Sequence, residues 1–279
     1  VRTSGALALL AVGLVTGSLM WSRLLDRAIF QPTPGVDVLP EALGIEAEEL
    51  FLRAEDGVRL HAFYLPSARA SSRALLFLHG NAGNASHRLP NAAQLAQLGV
   101  HVLLLDYRGY GRSDGRPSED GVFADARAGL AYLLEERGFP EERVVLFGRS
   151  LGGAVAVDLA QDRPLAGVIL ESTFPSAASV ARLSLGRVVA ALVGDRFASD
   201  RKIARLRAPL LFLHGDRDRV IPFALGRQLY ALAPEPKDFA IIVGAGHNDT
   251  TQVGGRPYFE RIARFLDRVA PEADAPADS

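Results

Sequence analysis

Apolar and polar positions along this chain follow two alternating periods. Short, mostly apolar runs recur at 49–54, 58–65, 74–80, 101–106, 143–148, 166–172, 209–215 and 238–243. Between them, apolar residues return at helical spacing over 90–98, 119–137, 151–162, 222–232 and 256–269. The first two runs, "ELFLRA" and "VRLHAFYL", meet across "EDG" and predict an antiparallel hairpin. The later runs are apolar without alternation, as expected of parallel strands buried on both faces. Strand alternating with helix predicts an α/β fold with a mostly parallel sheet and helices on both faces. In such sheets ligands bind beyond the carboxyl ends of the strands, so chemistry is sought where each strand stops.

The N-terminus breaks this rhythm. From Gly5 to Ser22 the sequence "GALALLAVGLVTGSLMWS" carries no charge, and Arg2, Arg23 and Arg27 flank it. A cleaved signal peptide calls for a shorter apolar core and a small-residue cleavage site, and none is evident near "SLMWSRL". A core helix would be amphipathic, whereas this run is apolar all round. Residues 1–30 are therefore read as a retained membrane anchor, with Trp21 at the interface. The folded domain is expected on the extracytoplasmic side, although similar basic charge on both flanks barely decides orientation. Residues 31–48, rich in proline and glycine, read as a linker, 49–269 as the folded domain and 270–279 as a fraying tail.

Composition narrows the function. A net charge of -1 makes no electrostatic case for nucleic acid. The absence of cysteine excludes disulfides, thiolate catalysis and cysteine metal sites. A content of 48% hydrophobic residues is enough to build a sizeable core. Oligomeric state stays open.

Two stretches fit G-x-S-x-G, "GRSDG" at 111–115 and "GRSLG" at 148–152. With 27 glycines, one match by chance is unsurprising, so the flanks decide. The "GRS" that ends in Ser150 follows the run "RVVLF" directly and precedes "LGGAVAVDLA", a helix opening on small residues. That is the strand–turn–helix of a nucleophile elbow. Ser113 is separated from the preceding strand by "YRGYGR" and is followed by the turn-like, acidic "DGRPSEDG". It reads as a loop serine.

A serine nucleophile needs a base, and histidine suits that role. In this arrangement the chain order is serine, acid, histidine, which leaves His214 and His247. His214 leaves no room for a strand-end acid except near residue 171, whereas His247 lies in the glycine-rich "VGAGHND" after an apolar strand. His247 is assigned as base. Asp218, in "HGDRDRVIP", is the favoured acid; Asp216 in the same turn and Glu171 at the end of "GVILES" are rivals. The oxyanion donors are expected from the N–H groups of Leu151 and of Asn81 in "HGNAGN". His79 reads as a residue that fixes this loop.

Taken in order, "HGNAGN", "DYRGYGRSDG", "GRSLGG", "HGDRDRVIP" and "GAGHND" resemble the alpha/beta-hydrolase superfamily over about residues 50–268. The combination is similar to its N-terminally membrane-anchored hydrolase-domain branch. The resemblance implies a Ser150–Asp218–His247 triad, no cofactor, and "RGYGRSDG" as a structural loop beside the site. Some eukaryotic members are associated with acyl thioesters on lipidated proteins. The expected activity is hydrolysis of a small acyl ester, thioester or lipid through an acyl-enzyme. A peptidase of the same fold and a non-catalytic membrane-anchored binding protein are the alternatives. A lid over about 173–207 carries "LSLGRVVAALVG", expected to line an acyl pocket.

Overall fold

The structure is a computed structural model that describes residues 20–272. Its strands are β1 (Glu48–Arg53), β2 (Arg59–Leu65), β3 (Ala74–Leu78), β4 (His101–Leu105), β5 (Val144–Arg149), β6 (Gly167–Glu171), β7 (Leu210–Gly215) and β8 (Lys237–Ile242). They form one sheet in the order β8-β7-β6-β5-β3-β4-β2-β1. The pairs β1–β2 and β2–β4 are antiparallel, and all others are parallel.

The helices are α1 (20–29), α2 (Leu89–Ala96), α3 (Glu119–Ala131), α4 (Leu151–Leu159), α5 (Ala177–Ser184), α6 (Arg187–Val193), α7 (Ser199–Lys202), α8 (Phe223–Leu232) and α9 (Thr250–Val269). Two cores result from the strand period of two. Leu76 and Leu78 of β3 point into the layer shared with α3, α4 and α8. Leu75 and Phe77 of the same strand point into the layer shared with α2 and α9. A strand covered on both faces must be apolar at every position, which is why β3 shows no alternation.

Three features depart from the pattern expected. Helix α9 begins at Thr250 rather than 256, because two helices abut at Gly255 (φ 50°, ψ −143°) with Pro257 opening the second. Helix α3 is followed by one π turn, Tyr132–Glu136. The lid folds as three short helices, α5 to α7.

The stretch 31–48 has little regular structure yet is bonded along its start. Gln31–Pro32 pairs in parallel with Ala82–Gly83, and the Asn84 side chain donates to the carbonyls of Thr33 (3.2 Å) and Gly35 (3.0 Å). At the other end, Glu272 accepts from Ser71, Ser72 and Arg73, so the tail is held at least that far. Most of the uncharged stretch 5–22 lies outside the described residues. Among those described, no helix is long and apolar enough to cross a membrane.

Candidate active site

Ser150 sits where β5 stops and α4 begins, with φ 53° and ψ −116°. Side chains avoid this region, so the surroundings must enforce it. The Ser150 N–H donates to the Glu171 carbonyl (2.8 Å), and its own carbonyl accepts from Thr173 Oγ1 (2.9 Å) and the Gly153 N–H (3.0 Å). Two glycines are steric requirements. A Cβ on Gly148 would lie 2.7 Å from the Gly153 Cα, and one on Gly152 would collide with the Leu78 carbonyl oxygen.

Two further strand ends complete the site. The loop after β8 carries His247, and the turn after β7 carries Asp218. His247 Nε2 lies 3.1 Å from Ser150 Oγ, and Nδ1 lies 2.7 Å from Asp218 Oδ2. An ionised carboxylate only accepts, so Nδ1 carries the proton and Nε2 is left to accept from the Ser150 hydroxyl. Asp218 is fully buried as a side chain, and its Oδ1 accepts the N–H groups of Val220 (2.9 Å) and Ile221 (2.8 Å). His214 Nε2, which donates to the Ile221 carbonyl at 2.9 Å, lies 3.5 Å from Asp218 Oδ2. Burial pushes the Asp218 carboxyl up, but His214, His247 and the Ile221 N–H outweigh it and hold the group well below the ordinary carboxylate range. His214 is thus a neighbour of Asp218 rather than of Ser150.

The rival residues are engaged elsewhere. Glu171 is fully buried and bonded to Thr250 Oγ1 (2.8 Å), the Tyr258 hydroxyl and Arg149 Nε (3.1 Å). Asp216 accepts the Gly244 N–H at 2.6 Å in an exposed turn. Ser113 Oγ donates to the Asp106 carbonyl and accepts the His61 N–H, each at 2.8 Å, so it stitches a loop to β2. His79 is buried against Tyr107 and Tyr110, and its Nδ1 donates to the Gly80 carbonyl at 2.7 Å.

Asn81 and Leu151 share a cavity of about 320 Å³ with Ser150. Leu151 opens α4, where a helix N–H has no intrahelical acceptor. The Asn81 carbonyl is taken by the Gln31 N–H (3.0 Å) and the Tyr110 hydroxyl (2.7 Å), which holds the loop that carries Asn81. Every other residue lining this cavity is apolar except Ser184; none is ionisable. Another cavity, of about 480 Å³, borders a different part of α1 and is lined by Arg23, Asp26, Arg27 and Arg116, without Ser150. Among the described residues, no cluster of three or more histidine, aspartate or glutamate side chains is arranged to hold a metal.

Arg149 joins two of these elements. Its Nε meets Glu171, while its Nη2 donates to the His247 carbonyl (2.7 Å) and approaches Asn248 Oδ1 (3.4 Å). The residue before Ser150 therefore holds the loop of His247. Sequence reasoning missed this link. A signal existed: Arg149 and Glu171 end two adjacent buried parallel strands in register.

The chain is similar to curated proteins over nearly all its length. It is 39% identical over 267 residues to an uncharacterised protein of Mycobacterium tuberculosis, covering 94% of this chain and 93% of that one. It is 33% identical over 286 residues to the alpha/beta hydrolase domain-containing protein WAV2 of Arabidopsis thaliana, covering 92% of each. Residues 69–197 match the family model described as serine aminopeptidase, S33. Among solved structures, the Pyrococcus furiosus esterase Pf2001 superposes with a TM-score of 0.70 at 20% identity, over 86% of this chain and 98% of that one. That last likeness is one of fold alone. With relatives of this closeness over this length, the chain belongs to the alpha/beta-hydrolase superfamily and is, by family, a hydrolase.

Proposed function

We propose that the protein is a serine esterase that cleaves carboxylic esters or thioesters through an acyl-enzyme. The observation that carries this reading is the hydrogen-bonded file Ser150–His247–Asp218 opening onto a cavity without an ionisable lining residue. Ser150 Oγ bonds to the substrate carbonyl carbon as its proton passes to His247 Nε2. The carbonyl electrons move onto oxygen, where the N–H groups of Leu151 and Asn81 stabilise them. Losing one such donor costs about 3–4 kcal/mol in the transition state. The oxyanion collapses, the alcohol or thiol leaves with the His247 proton, and water repeats the sequence to free the acid. Asp218 keeps the Nδ1–H tautomer and stabilises the imidazolium without taking the proton.

The aminopeptidase description of the matching family model favours a second reading, cleavage of an amide next to a free amine. That chemistry needs an anion to receive the substrate ammonium, and no acidic side chain lines the cavity beside Ser150. This supports the ester. A panel of acyl esters, acyl thioesters and aminoacyl amides tests it: hydrolysis of the first two, abolished in Ser150→Ala, is expected. Preferential cleavage of the amides would overturn it. We also read the uncharged residues that precede α1 as a tether to a bilayer. Extraction only by detergent is expected, and release by alkaline carbonate would refute the tether.

A further inference from the structure

We propose that helix α1 is the outer wall of the acyl-chain site, so that Leu25, Ala28 and Ile29 set the length of chain the enzyme accepts. The inference rests on the esterase reading above and adds the substrate class: single-chain acyl groups of medium length.

Leu25, Ala28 and Ile29 line the same cavity as Ser150. Their spacing, i, i+3, i+4, is one face of a helix. Val180 of α5 with Val189 and Val193 of α6 lines it as well. The acyl group is thus enclosed between two parts of the chain far apart in sequence, α1 and the lid.

Helix α1 is bonded into this place. The Asn81 side chain donates to the Ile29 carbonyl at 2.9 Å, tying the end of the helix to the loop of a proposed oxyanion donor. Phe30 is 3% exposed and meets the Phe197 ring edge-on at 5.9 Å. Arg196 pairs with Asp26 and donates to Ser22 Oγ at 2.6 Å. Trp21 Nε1 donates to the Leu192 carbonyl at 3.2 Å. These contacts tie the helix to the lid and to the floor of the site, so a change in one wall is felt by a bound chain.

The volume sets the length. A cavity of about 320 Å³ lies at the small end of the roughly 300–1,000 Å³ of ligand sites. That suits an acyl chain of medium length rather than a long one. Leu185, a lining residue on the lid side, is 67% exposed, so the cavity opens there rather than closing around a long chain.

The test is the kcat/KM of the full chain on p-nitrophenyl esters from acetate to palmitate. Each methylene that enters the cavity raises kcat/KM about fourfold, and the rise should stop at medium chain length, well before palmitate. In Ala28→Trp, which fills the cavity, the octanoate-to-acetate ratio of kcat/KM should fall at least tenfold. In Leu25→Ala, which widens it, the optimum should move to longer chains. Wild-type ratios in both variants would overturn the proposal while leaving the esterase reading intact. Failure to hydrolyse any ester of the series would instead remove the esterase reading.

Discussion

Replacing Arg149 with methionine removes a side chain that touches both the buried Glu171 carboxylate and the His247 loop. Glu171 is fully buried and would keep Thr250 and Tyr258 as donors but lose its cation. Removing one partner of a buried ion pair costs about 3–5 kcal/mol. The two remaining donors put this site at the low end, about 3 kcal/mol. The His247 carbonyl also loses its 2.7 Å donor, which adds about 1 kcal/mol. A loss of about 4 kcal/mol is a large share of the 5–15 kcal/mol that holds a typical domain together. The chemistry suffers separately. His247 reaches Ser150 at 3.1 Å, and a misplacement of about 1 Å can cost on the order of 100-fold in rate. We expect kcat to fall 10- to 100-fold with little change in KM. Urea unfolding of Arg149→Met, Glu171→Gln and the double variant measures the coupling, expected at about 1–3 kcal/mol. An Arg149→Met variant within about 0.5 kcal/mol of wild type and with full kcat would refute the clamp.

Three further outcomes follow from the same contacts. Asp218→Asn should lower kcat by on the order of 10⁴-fold, because an amide oriented to donate would select the wrong His247 tautomer; retention of most activity would contradict the role of this carboxylate. Glu272 is pushed up by burial but held lower by Ser71, Ser72 and Arg73, at about 2 against an ordinary 4.5. With its folded value depressed, its stabilisation is complete above about pH 4.5 and is lost as pH falls towards about 2. Glu272→Gln should therefore flatten the stability-versus-pH curve in that window, and an unchanged slope in urea melts would contradict this. Gly152→Ala should destabilise by about 1–3 kcal/mol through overpacking, since its Cβ would also approach the His79 carbonyl oxygen to 2.6 Å; a wild-type urea midpoint would show that the elbow has slack.

Much of the architecture was legible because its cause is periodic. A strand buried on both faces must be apolar throughout, and β3 to β7 announce themselves that way. The elbow was legible from its flanks: β5 runs into Ser150 and small residues leave it, whereas Ser113 has neither. Asp218 and His247 followed from strand ends and chain order, and the structure brings both to Ser150. Other features have no periodic signature. The stretch 31–48 is held by backbone and amide hydrogen bonds to the 82–84 and 111 regions, which side-chain pattern does not encode. The end of α1 lies beside an uncharged run, and an apolar run conceals which of its residues face protein. Leu25, Ala28 and Ile29 were therefore not separable from the expected anchor. Glu171 is legible as a strand-end acid, but its pairing with Arg149 is not, because each residue closes its own apolar run and only the register of the two strands brings them together.

Covalent labelling tests the central claim most directly. A fluorophosphonate phosphonylates an activated serine as fluoride leaves, and intact mass with peptide mapping locates the adduct. The account predicts one adduct on Ser150, none in Ser150→Ala, and labelling strongly slowed in His247→Ala. An adduct on Ser113 or any other residue, or undiminished labelling of Ser150→Ala, would contradict it.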